Sequence, residues 1–172
     1  FLYHEVTDDP QSTGFQGGNS YQYKHKVSEF RDHLNLLSKS RNTIGILPDL
    51  KLAKKIQITF DDGGISSMLS AEILEQQGWL GHYFIATSYI GQKGFLSADN
   101  IIDLRARGHL IGSHSHTHPK NCRLLSDDVL LTEWDTSKHI LEDTLSDATP
   151  EQVLAGVKLP QNDEQHPSGC LS

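Results

Sequence analysis

The sequence predicts an α/β protein built on a parallel sheet or barrel, and three observations carry that expectation. Short β-branched or aromatic runs alternate with stretches whose apolar residues recur at helical spacing, the βα alternation that pairs strands in parallel. Two polar motifs, at residues 61–64 and 114–119, follow directly on predicted strands. In such folds the C-terminal ends of the strands carry the site, so motifs distant in sequence are expected to meet on one rim. No internal repeat or interdomain linker interrupts the 172 residues, so residues 1–172 read as a single domain.

Residues 1–6 (FLYHEV) read as a strand. Residues 7–27 form a polar, Gly-rich loop without periodicity, a length that in compact domains often marks the edge of a binding site. A helix begins near Val27 or Ser28, with Phe30, Leu34 and Leu37 on one face. Residues 55–60 alternate as a strand and run into the turn Asp61-Asp62-Gly63-Gly64. Met68, Leu69, Ile73 and Leu74 mark a helix over 66–77 that Gly78 caps. A strand over 82–86 precedes a helix over 97–107, with Ser97 as N-cap and Gly108 beyond its end. Residues 109–113 form the next strand. A longer helix covers 126–145, with Asp127 and Asp128 where the helix dipole favours acids. The tail after Pro150 is polar and without a clear element.

Composition narrows the function classes. A net charge of -7 argues against a generic nucleic-acid surface, and no apolar run approaches the roughly 18–20 residues of a transmembrane helix. Cys122 and Cys170 lie far apart and form no CxxC, which excludes a zinc ribbon and a disulfide framework. The chain opens on Phe1-Leu2-Tyr3 without a basic and then apolar leader, a start consistent both with a cytoplasmic protein and with an exported one whose signal lies outside these residues. Histidine is abundant, 10 in all, and three stand within Gly112-Ser113-His114-Ser115-His116-Thr117-His118-Pro119.

That cluster invites a metal. If the segment turns helically, His114 and His118 share a face; if it stays extended, His114, His116 and His118 point one way and an HxH site follows. The helical alternative with Asp62 gives two imidazoles, one carboxylate and an open position, the pattern of a catalytic divalent-metal site. A cation so held suits hydrolysis of an amide or ester. Asp61, unligated, is then placed to act as general base, and His4, at the end of a predicted strand, as general acid.

Thr59-Phe60-Asp61-Asp62-Gly63 resembles the TFDDG motif of the polysaccharide deacetylases (the NodB-homology, carbohydrate esterase family 4 group). His114-Ser115-His116-Thr117-His118-Pro119 resembles that family's H-[S/T]-x-x-H-P motif, and the segments 78–85 and 107–113 are also similar to it. The resemblance spans roughly Leu2 to Leu145. It implies a NodB-like distorted (β/α) barrel with about seven strands, against which these residues read as incomplete at the C-terminus. It implies Asp61 as catalytic base, Asp62, His114 and His118 as metal ligands, and His116 at a variable position. The implied activity is metal-dependent removal of acetyl groups, N-acetyl amides above all, from an acetylated polysaccharide or oligosaccharide. Zinc is the expected cation, and cobalt, nickel or manganese suit the same ligands.

The chain departs from the family pattern in two places. Where many members carry an Arg-containing motif, it has Gly156-Val157-Lys158-Leu159-Pro160-Gln161, and from about residue 156 it is atypical or truncated. It also lacks the late Leu-x-His that supplies the acid, whereas Leu2-Tyr3-His4 has that form at the opposite end and resembles members whose barrel opens on a Tyr-His strand. Two other readings compete: an amidohydrolase-type site on His114 and His116, which leaves TFDDG without a role, and a truncated, non-catalytic metal- or glycan-binding relic. Tyr3, Phe15, Tyr21 and Tyr89 are candidate aromatic platforms for a sugar.

Overall fold

Aromatic and β-branched residues at the chain's start and around residues 58–60 drive the first strands together. The computed structural model describes residues 1–40, 43–44 and 55–146. β1 (Leu2–Tyr3) and β2 (Glu5–Val6) flank His4, and β3 (Lys24–His25) leads into α1 (Val27–Ser38). β4 (Thr43–Ile44), β5 (Lys55–Ile56) and β6 (Thr59–Phe60) follow, then α2 (Ser67–Glu75), β7 (His82–Ile85), α3 (Ala98–Ala106), β8 (Leu110–Ser113) and α4 (Asp127–Ser146). Among the described residues the strands form a parallel sheet in the order β1-β6-β7-β8 and two parallel pairs, β2-β3 and β4-β5. The α/β class with parallel pairing is as expected from the sequence. The atypical segment from residue 156, with Cys170, lies outside the described residues.

Two runs that read as single strands are each divided. Residues 1–6 split at His4 because β1 pairs with β6 while β2 pairs with β3; residues 55–60 split because β5 pairs with β4 and β6 with β1 and β7. In the first, the change of partner falls at the candidate acid His4. The β3 strand inside the 7–27 segment was not foreseen, since two residues carry no period.

The core is an aromatic row across the sheet. Tyr3, Phe60 and Tyr83 are register partners on three adjacent strands, and their rings stack at 5.7 Å (Tyr3–Phe60) and 4.8 Å (Phe60–Tyr83). Tyr3 is therefore core and not a sugar platform; its hydroxyl meets His33 Nδ1 at 3.1 Å. Phe30 and Leu34 of α1 close one side, and Ala71, Ile73 and Leu74 of α2 add to the same cluster. Ser97 caps α3 as expected, accepting from the Asn100 N–H. Gly78 and Gly108 take left-handed φ values of 70° and 95° beyond the ends of α2 and α3.

A fully buried histidine joins α2 to β8. His109 Nδ1 accepts the Gly81 N–H at 3.0 Å, which requires the neutral ring, and Nε2 donates to Glu75 Oε1 at 2.9 Å. Burial holds the His109 pKa below the usual histidine value, although the Glu75 carboxylate pulls the other way. The unfolded chain therefore binds a proton near pH 6.5 that the folded chain resists, so this contribution to stability is complete above about pH 6.5 and is lost as pH falls. The expected result is that the melting-temperature gap between wild type and His109→Gln narrows from pH 7.5 to pH 5. A gap that is constant or widens would refute it.

Candidate metal and catalytic site

The site residues stand at the C-terminal ends of β1, β6 and β8 of one parallel sheet, or on the loop that follows β8. The Asp61 N–H donates to Tyr3 O at 3.0 Å, which sets Asp61 beside the β1 end and hence beside His4. Asp62 follows with a left-handed φ of 75°, which turns it off the strand path, and Gly63 continues at φ 81°. The segment just after β7 then ties the two motifs together. Ala86 N–H donates to Asp62 O (3.2 Å), Thr87 N–H to Ser115 O (3.2 Å) and Ser88 N–H to His116 O (3.0 Å), while His114 N–H donates to Ile85 O (2.8 Å).

The second motif is neither a helical turn nor an extended strand. Ser115 and His118 both have left-handed φ, 64° and 55°, and these two kinks bring His114 and His118 together with ring centroids 5.2 Å apart. His116 is turned away, its Nδ1 3.0 Å from Thr87 Oγ1, so an HxH pair with His114 is not assembled. The helical pairing foreseen for His114 and His118 is thus reached by a loop, because backbone bonds from residues 87–88 hold conformations that no local propensity favours.

Asp62 Oδ1 lies 3.3 Å from His118 Nε2 and 3.5 Å from His114 Nε2, and ligand atoms of the three residues lie within 4.8 Å of one another. Among the described residues this is the group with metal-ligand geometry. Asp62 Oδ1 is buried and makes no hydrogen bond, an expensive state for a carboxylate oxygen unless a cation meets it. One carboxylate and two imidazoles facing a common point fit a divalent cation with a position left open. The neighbouring Asp62 carboxylate raises the His118 pKa, with burial opposing.

Asp61 points its Oδ2 toward His114 Nδ1 at 4.0 Å, beyond hydrogen-bond reach, so its carboxyl stays available. Burial raises its pKa, with His114 and His4 pulling it back down. A cavity of about 760 Å³ opens beside the cluster, and His4, Asp62 and His118 all line it. The 7–27 segment and Tyr89 supply its aromatic walls. Phe15 stacks on His118 at 4.9 Å and meets Tyr89 edge-on at 4.7 Å, and Tyr23 lies 4.8 Å from the His4 ring. Tyr21 instead lies under the Lys24 ammonium.

The polysaccharide deacetylase family model matches residues 51–155. The chain belongs to the polysaccharide deacetylase family. Among solved structures, the Streptococcus pyogenes deacetylase PplD in complex with acetate is 19% identical with a TM-score of 0.67, over 84% of this chain and 67% of its own. BC0361, a polysaccharide deacetylase from Bacillus cereus, is 21% identical at TM-score 0.69 over 84% of this chain; the match spans only 46% of that protein, about half its length. IcaB from Ammonifex degensii is 17% identical at TM-score 0.68, over 90% of this chain and 77% of its own. These likenesses are of fold. No curated protein matches the chain.

Two acidic residues of this polysaccharide deacetylase family member escaped the sequence reading. Glu5 is buried, and its Oε2 accepts from Thr13 Oγ1 and Ser66 Oγ, each at 2.5 Å; Ser66 N–H donates to Thr13 Oγ1 and Val6 N–H to Ser66 Oγ. Burial pushes its pKa up to about 7 against those hydrogen bonds. The network ties the 7–27 loop to the turn after Asp62. Its one sequence signal was the i, i+2 spacing that places Glu5 on the buried side with Tyr3. The second is Glu133 on α4, which accepts from the His116 and Thr117 backbone. Slight burial raises its pKa, but these donors outweigh it, so the carboxyl lies below its ordinary value. The helical spacing of Glu133, Ser137 and Leu141 along one face was the available signal.

Proposed function

We propose that this protein is a divalent-metal-dependent deacetylase that hydrolyses the acetamide of an N-acetylated polysaccharide or oligosaccharide, with residues 1–172 belonging to one deacetylase domain. The observation that carries the reading is the convergence of Asp62, His114 and His118 on one point beside the free carboxyl of Asp61. Family membership supports the reaction class, and the acetate in the Streptococcus pyogenes deacetylase supports acetyl as the group removed.

Asp62, His114 and His118 would hold the cation, zinc by the borderline character of the donors, with cobalt, nickel or manganese suited to the same set. When bound, the cation supplies Lewis acidity to the amide carbonyl and lowers the pKa of a water. Asp61 takes a proton from that attacking water, helped by a pKa that burial moves toward working pH. His4 delivers a proton to the leaving amine nitrogen as the C–N bond breaks, which yields acetate and a free amino sugar. Phe15, Tyr89 and Tyr23 offer flat apolar faces to the sugar ring along the cavity. No helix among the described residues is long and apolar enough to cross a membrane.

The test is acetate release from acetylated chito-oligosaccharides, with metal content assayed, for zinc-loaded and chelator-stripped protein. Zinc bound by the chain and acetate from the loaded protein alone are expected. Full zinc without acetate would remove the substrate assignment, and no zinc uptake would remove the metal reading.

A further inference from the structure

The loop that carries both imidazoles holds a conformation it cannot hold alone. Ser115 and His118 are left-handed non-glycine residues, a state that persists only when neighbours fix it. One flank is fixed by Thr87 and Ser88, as described above. The other flank is fixed by a single side chain from α4. Glu133 Oε2 accepts the N–H groups of His116 (3.0 Å) and Thr117 (2.7 Å), and Glu133 Oε1 accepts the Thr117 hydroxyl (2.7 Å). One helical turn on, Ser137 Oγ accepts from Ser113 Oγ at 2.7 Å, which fixes the root of the same loop to the same helix face.

We infer that Glu133 is a positioning residue of the metal site: by gathering three donors of residues 116 and 117 it sets two of the three backbone positions between the imidazoles and so aims His114 and His118 at Asp62. The inference rests on the metal reading above. Without the carboxylate, two N–H groups lose their partner and the loop is free to relax at Thr117, directly before His118. Reach matters more than charge here. Glutamine can turn its carbonyl oxygen to the two N–H groups and its NH₂ to the Thr117 hydroxyl, whereas aspartate keeps the charge and falls short by one methylene.

The test is zinc affinity of the full chain by chelator competition, with the visible spectrum of the cobalt-substituted protein and the metal-free melting temperature measured in parallel. Glu133→Ala and Glu133→Asp are expected to bind zinc about 10–100-fold more weakly than wild type, as loss of an orienting partner does elsewhere, and to alter the cobalt spectrum. Glu133→Gln is expected to stay within about fivefold of wild type, the difference between charged and neutral acceptors. Zinc affinity of Glu133→Asp equal to wild type, or a melting-temperature loss with affinity and spectrum unchanged, overturns the inference and leaves the metal reading standing. Should Glu133→Ala not fold, the Asp and Gln pair still decides. A wild-type chain that takes up no zinc overturns the metal reading and this inference together.

Discussion

Asp61→Asn is expected to lower turnover by about 10²–10⁴-fold, the usual contribution of a positioned general base. Asparagine has the same shape, and the backbone bond from residue 61 to Tyr3 O does not involve the side chain, so the local fold survives. The carboxyl lies 4.0 Å from His114 Nδ1, outside hydrogen-bond reach, so its replacement leaves the three-residue cluster assembled. The variant should therefore take up metal like wild type while releasing almost no acetate. Turnover within a few-fold of wild type would show that another group takes the proton. Loss of metal together with activity would instead make Asp61 part of the binding set.

Gly64→Ala is expected to destabilise the fold by about 3 kcal/mol, the upper end of what overpacking costs. A Cβ there would run into the Glu5 carboxyl, which is buried and held by Thr13 and Ser66 and so has nowhere to withdraw. For a chain of this size that corresponds to a fall of about 6–12 °C in melting temperature. The first glycine of the pair answers to a different demand, since Gly63 sits at φ 81° with Ile85 Cδ1 3.0 Å from where a Cβ would be. A double variant, Gly64→Ala with Glu5→Ala, separates the clash from any other cost: relief of the clash makes the two changes less than additive. If Gly64→Ala melts with wild type, the packing around Glu5 is looser than described.

Much of this site was legible because short patterns carry it. The run into Asp61-Asp62-Gly63-Gly64 announced a strand end and a sharp turn, and the spacing of His114 and His118 announced a pair. How that pair closes was not legible. It depends on left-handed residues at 115 and 118, which are held by residues 87–88 and by Glu133, contacts that join distant parts of the chain. The same limit hid Glu5, whose partners Thr13 and Ser66 lie on different elements. Local sequence reports which side chains can ligate or pack. The directions they take are fixed by hydrogen bonds between elements, and those follow only from the folded sheet.

The seam after β7 has a consequence for how such a protein can vary. Asp62 hangs from the exit of β6, and His114 from the exit of β8; residues 85–88 between them pin both. The distance between the two motifs is thus a matter of strand pairing and not of the intervening chain. Extra residues on the solvent side of α3 would leave the three donor atoms where they are. A slip of one residue between β7 and β8 would carry His114 about 3.3 Å along the strand and turn it to the opposite face. The chemistry of this chain is in that sense indexed to the ladder His82–Leu110, Tyr83–Ile111, Phe84–Gly112 and Ile85–Ser113, four unreactive pairings that act as its ruler.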